Sequence, residues 1–106
     1  MDYRKPFRVL RAARHLTQKE LAQRIGVSHA VINHCETGAR NPSRDVMERA
    51  AKALGVSLHL FTTLAATPQE FEALAPSIVS TVVTELMEVV VSGKSGLPEL
   101  PPPVVE

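Results

Sequence analysis

Gly26 stands between two short amphipathic stretches, and the residues around it constrain how the chain must turn. Upstream, Thr17 and Glu20 have capping-box spacing: the Thr hydroxyl accepts from the backbone N–H three residues on, and the Glu carboxylate reaches back. A helix therefore starts at about Gln18, with Leu21, Ala22 and Ile25 on one face. Glycine at 26 can adopt the left-handed conformation without a Cβ clash and so reverses the chain. Ser28 caps the next helix, in which Val31, Ile32 and Cys35 form the inward stripe. Ser28, His29, Ala30, Asn33 and His34 are left outward or at the margin. Ala22 is small enough to let two steeply crossing backbones approach.

This is the geometry of a helix-turn-helix, whose second helix lies in the DNA major groove. The run from Arg8 to Phe61 reads RVLRAARHLTQKELAQRIGVSHAVINHCETGARNPSRDVMERAAKALGVSLHLF. It resembles the Cro and phage-repressor, or Xre, type of helix-turn-helix domain. The shared pattern is a Leu-Thr-Gln opening, Leu-Ala, Ile-Gly-Val-Ser, an Ile, Glu-x-Gly, Pro-Ser and a closing Ala-x-x-Leu-Gly-Val, all present in order.

The resemblance implies an all-α, five-helix, lambda-repressor-like domain over residues 1–64. It assigns base-edge contacts to His29, Ala30, Asn33 and His34, and backbone contacts to Gln18, Ser28, Arg40 and Asn41. It also implies a structural pair between Arg11 and Glu36. Chemically, Asn33 suits adenine, because its amide can donate to N7 and accept from the N6 amino group in a bidentate pair. His29 can hydrogen-bond a base or phosphate, and Ala30 can touch a thymine methyl. Gln18 and Ser28 stand at helix N-termini, where backbone N–H groups and the helix dipole favour phosphate.

Around this motif the sequence predicts further helices. Residues 1–6 read as a short arm, with Pro6 at or before a first helix over Phe7 to about Arg14. Phe7, Leu10 and Ala13 face inward, and Arg8, Arg11 and Arg14 form a basic face opposite. Ser43 caps a fourth helix with Val46, Met47, Ala50, Ala51 and Leu54 inward, and Gly55 ends it; Ser57 caps a fifth with Leu58, Leu60 and Phe61.

Thr67-Pro68-Gln69-Glu70 starts another short helix, with Phe71 and Leu74 on its apolar side and Pro76 as its break. In SIVSTVVTELMEVVV the β-branched residues favour a strand, but apolar pairs recurring about every four residues predict a helix over about 77–91. Residues 65–92 thus form a C-terminal helical segment. Val79, Val82, Val83, Leu86 and Val90 are its expected homodimerisation face. Residues 93–106, with two glycines and four prolines, are expected to be a disordered tail.

Charge divides along the same line. Residues 1–60 hold eleven Lys and Arg against five Asp and Glu, a net +6, and the remainder holds one Lys against six Glu, a net −5. The basic half is the half with the helix-turn-helix, as attraction to phosphate requires. The lone Cys35 excludes an internal disulfide and a cysteine-rich zinc site, and reads as a small core residue. His29 and His34 are five apart, off a common helix face, and His15 and His59 lie in separate elements, so no metal or other cofactor is expected. No nucleophile with its base and no phosphate-cradling glycine loop appears, which argues against an enzyme.

Without a charged leader or eighteen uninterrupted apolar residues, the expected location is the cytoplasm or nucleoid of a prokaryote or phage, away from membranes. The expected function is a sequence-specific transcriptional repressor, a homodimer on an inverted repeat of double-stranded DNA. The alternatives are an antitoxin that represses its own operon and binds a toxin beyond residue 64, or an adaptor resembling multiprotein bridging factors.

Overall fold

A computed structural model describes residues 1–98. Those residues are helical throughout their regular elements: α1 (Arg4–Ala13), α2 (Gln18–Ile25), α3 (His29–Thr37), α4 (Arg44–Leu54), α5 (Leu58–Leu64), α6 (Pro68–Glu72) and α7 (Pro76–Ser92), then a 3-10 turn, Gly93–Gly96.

Five of the helices begin at a Ser or Thr whose side chain accepts from the backbone N–H three residues on: Thr17, Ser28, Ser43, Ser57 and Thr67. α1 begins three residues earlier than the sequence predicts. Asp2 accepts from the backbone N–H of Arg4, and Pro6 falls in the first turn, where no intrahelical donor is lost. Just past α1, His15 has a left-handed φ of 56°, and Leu16 donates back to the Arg11 carbonyl.

The core gathers Phe7 and Leu10 of α1, Leu21 and Ile25 of α2, Ile32 of α3, Leu54 of α4, and Leu60 and Phe61 of α5. Phe7 and Phe61 meet edge to face, with ring centres 5.1 Å apart and planes at 87°. α7 lies on α5 and α1. Its Glu85 accepts from the Ser57 amide at 2.8 Å and the Ser57 hydroxyl at 2.6 Å, completing the α5 cap from a distance.

By length and hydropathy the run Pro76–Gly96 is apolar enough to cross a membrane. In this fold its Val82 and Val89 are buried in the chain's own core. That placement corrects the expected dimerisation face, because Val82 is already covered and Leu86 packs half-buried beside it. Val79 is half-buried, whereas Val83, Met87, Val90 and Val91 are exposed. α6 buries no side chain, and Phe71 remains 45% exposed.

Two further expectations change. Arg14, expected on the basic outer face, is only 3% exposed. Arginines spaced by three drift backward around a 100° helix, and Arg14 stands four residues after Leu10 and seven after Phe7, on the inward stripe. The tail expected from residue 93 is in part packed against the body. Gly93 is buried, Lys94 pairs with Glu20 at 3.4 Å, and Arg24 donates to the Pro98 carbonyl at 2.9 Å. Residues 99–106 of that segment lie outside the described residues.

Candidate nucleic-acid interface

Local chemistry sets the turn between α2 and α3. The Thr17 hydroxyl accepts from the Glu20 amide at 3.1 Å, and Glu20 accepts from the Thr17 amide at 3.1 Å. These bonds hold the Glu20 carboxyl below the usual range, the backbone bond first and the Thr17 side chain next. At the far end Gly26 has φ 82°, and both Gly26 and Val27 donate to the Ala22 carbonyl. Arg49 of α4 donates its guanidinium to the Ile25 carbonyl. That bond closes the C-terminus of α2 from outside with a cation where the helix dipole favours one. Nothing in the local pattern around Arg49 signals this contact, which spans 24 positions.

α3 buries Ile32, Cys35 and Glu36 and half-buries Val31. Burial raises the Cys35 thiol pKa, so the thiol stays protonated. Ser28, His29, Ala30, Asn33 and His34 are all exposed. His29 and Asn33 are brought together by Gln18, the first residue of α2. The Oε1 of Gln18 lies 2.8 Å from the His29 ring Nε2, and its Nε2 donates to Asn33 Oδ1 at 3.5 Å. Ala30 and His34 make no side-chain bond to this group among the described residues. Among the described residues Asn33 keeps its amide N–H groups and one carbonyl lone pair free for another partner.

At the end of α3, Gly38 is left-handed, and the Arg40 amide donates to the His34 carbonyl at 3.2 Å. The side chains of Arg40 and Asn41 are exposed on the following loop. Arg11 and Glu36 tie α1 to the C-terminal part of α3. Arg11 Nη2 donates to Glu36 Oε1 at 2.8 Å, its Nε bonds both carboxylate oxygens at 3.1 Å, and its Nη1 donates to the Leu16 carbonyl at 2.9 Å. The outward set is thus held on a short helix by a glycine turn, a buried stripe and a two-pronged ion pair.

Residues 6–64 match the family described as the helix-turn-helix domain. A Mycobacterium tuberculosis protein named an HTH-type transcriptional regulator is 36% identical over 78 residues, 71% of this chain and 56% of that protein. A Sinorhizobium fredii protein, also named an HTH-type transcriptional regulator, is 40% identical over 73 residues, 64% of this chain and 95% of that protein. Vegetative-specific protein H7 of Dictyostelium discoideum is 46% identical over 48 residues, 45% of this chain and 46% of that protein. The chain spans little more than half the length of the mycobacterial relative. No solved structure matches it significantly.

Proposed function

The chain belongs to the helix-turn-helix domain family, and from that premise we propose that it is an Xre-type, sequence-specific DNA-binding transcriptional regulator, a homodimeric repressor that occupies an inverted-repeat operator. The observation that carries the reading is the exposed side of α3, where His29 and Asn33 are bridged by Gln18 at the start of α2. Pre-aligned amide and imidazole groups on a projecting helix suit base edges in a major groove, and each good bidentate contact is worth roughly 1–3 kcal/mol of discrimination. Arg40 and Asn41, and the helix starts at Gln18 and Ser28, suit phosphates on either side.

Two copies joined through the exposed apolar side of α7, at Val83 and Val90, would present two recognition helices about 34–36 Å apart, one turn of the duplex. Selection of bound duplexes from a randomised pool tests the reading. The expected winner is an inverted repeat bound with a steep salt dependence. Asn33→Ala is expected to relax preference at one position of each half-site, and Arg40→Ala to weaken all sequences alike. The proposal fails if no duplex is enriched.

A further inference from the structure

The DNA reading leaves unused a polar trough beside α1. One cleft is lined by Arg4, Thr37, Arg40 and Asn41 together with the N-terminal residues. A second is lined by Arg4, Arg8, Arg11, Gln18, Thr37 and Glu36, whose carboxylate is neutralised by Arg11. Arg4 and Thr37 line both, so the clefts lie side by side and form the two halves of the trough, with Arg40 and Asn41 at one end and Gln18 at the other. Those ends are the positions assigned to the sugar-phosphate backbone, and that assignment contains nothing for the stretch between them.

α1 fills that stretch with cations. Arg4, Arg8 and Arg11 follow one another at spacings of four and three residues, along one side of the helix. Arg4 is paired with Asp2 at 2.9 Å and lies over Gly38, where an added Cβ would meet its Cδ at 3.1 Å. Arg11 is held by Glu36. Arg8, exposed between them, makes no ion pair or side-chain hydrogen bond among the described residues. A free guanidinium, walled on both sides by neutralised ones, gives the trough an uncompensated positive charge at its middle.

We propose that α1 is part of the DNA interface, with Arg8, flanked by Arg4, binding a backbone phosphate that lies in the trough between the groups held by Gln18 and by Arg40 and Asn41. The inference rests on the DNA-binding reading. A guanidinium offers a phosphate two parallel donors, and the contact carries no base information.

The test is a salt titration of affinity for Arg8→Ala, on the selected duplex and on an unrelated one. Losing one phosphate contact from each subunit of the dimer lowers the logarithmic salt slope by about 1.8, which at 0.1 M salt is a loss on the order of sixtyfold. The same loss is expected on both duplexes, with an unchanged thermal midpoint. Lys52→Ala removes the same charge from the last turn of α4, beside the Leu54 carbonyl that Arg14 holds at the opposite end of α1, and is expected to leave the slope unchanged. A wild-type slope in Arg8→Ala overturns the proposal, as does an equal change in Lys52→Ala, which would reveal only the general field. No binding by the wild-type chain would overturn the DNA reading itself, and it is recognised before any substitution is made.

Discussion

Arg14, almost wholly buried, donates to the backbone carbonyl of Gly93 at 3.0 Å, so that the last turn of α1 grips a residue 79 positions further on. The same guanidinium donates to the Leu54 carbonyl at 2.8 Å, the Gly55 carbonyl at 3.2 Å and the Ser92 hydroxyl at 2.8 Å. Among the described residues no carboxylate neutralises it. The C-terminal ends of α4 and α7, where helix dipoles place partial negative charge, solvate it instead. Burial lowers its pKa, but an arginine keeps its proton under any ordinary condition.

Replacing Arg14 by Met strands the two buried carbonyls of Leu54 and Gly93 and removes its bonds to Gly55 and to Ser92 at the end of α7. The expected destabilisation is about 3 kcal/mol, read from urea unfolding. Arg14→Lys should recover little of it, because a compact ammonium cannot reach acceptors spread over two helix ends.

The Arg11–Glu36 pair instead sets a half-buried cation against a buried carboxylate. Only 4% of Glu36 is exposed, and its carboxylate is held from two directions by one guanidinium. Glu36→Ala leaves Arg11 without its counter-charge and is expected to cost about 3–5 kcal/mol. The double substitution with Arg11→Ala should cost less than the sum of the two singles. A sum that adds fully in urea titrations would mean that the pair contributes no coupling.

Gly26→Ala is expected to lower stability by about 1–2 kcal/mol, the ordinary penalty for a side chain in the left-handed region. The added Cβ would also stand 2.8 Å from the Arg49 guanidinium, so Arg49 must release the Ile25 carbonyl to make room. Gly26→Asn, which tolerates this conformation better, should lose less in the same thermal melts.

What was legible in the sequence was what short-range bonds decide. The Ser and Thr caps and the left-handed glycines follow from side chains meeting their own backbone a few residues away. The buried stripe of α3 follows from a single helical period and leaves the exposed set by subtraction. Contacts that depend on how helices cross were not legible. Arg49 reaching Ile25, Glu85 reaching Ser57, and Gln18 bridging His29 and Asn33 each join separate elements. Arg14 was partly legible, since its spacing from Leu10 places it on the inward stripe; its charge argued the other way, and only the open carbonyls at two distant helix ends reconcile the two. In α7 the apolar residues wrap more than one side, so the inward choice of Val82 and Val89 was set by the surface of α5 and α1.

Acid should weaken the helix starts. Thr17 bonds hold the Glu20 carboxyl below its usual range, and the N-terminal ammonium, followed by Thr67, does the same for Glu70. A carboxyl whose folded pKa is depressed stabilises the fold fully above its unfolded value, roughly pH 4.3, and that contribution disappears as pH falls through the lower folded value. Melting temperature is therefore expected to drop below about pH 4.3. Glu20→Gln and Glu70→Gln, which keep capping-box geometry without the titrating group, should flatten the drop.

Val82 and Val83 are neighbours in sequence and opposites in surroundings, which separates folding from association. Val82 is buried in the core, and Val83 is 46% exposed beside Met87 and Val90 on the outer side of α7. Val82→Ala is expected to cost about 1–3 kcal/mol of monomer stability through lost packing and the cavity left behind. Val83→Glu changes no buried contact and should leave the urea midpoint of a dilute sample unchanged. If two copies join through the outer side of α7, as proposed, an added carboxylate there must be desolvated against its own copy. Sedimentation equilibrium should then show association weakened by tenfold or more, on the order of 1.4 kcal/mol. Equal association constants for wild type and Val83→Glu would place the contact between subunits elsewhere on the molecule.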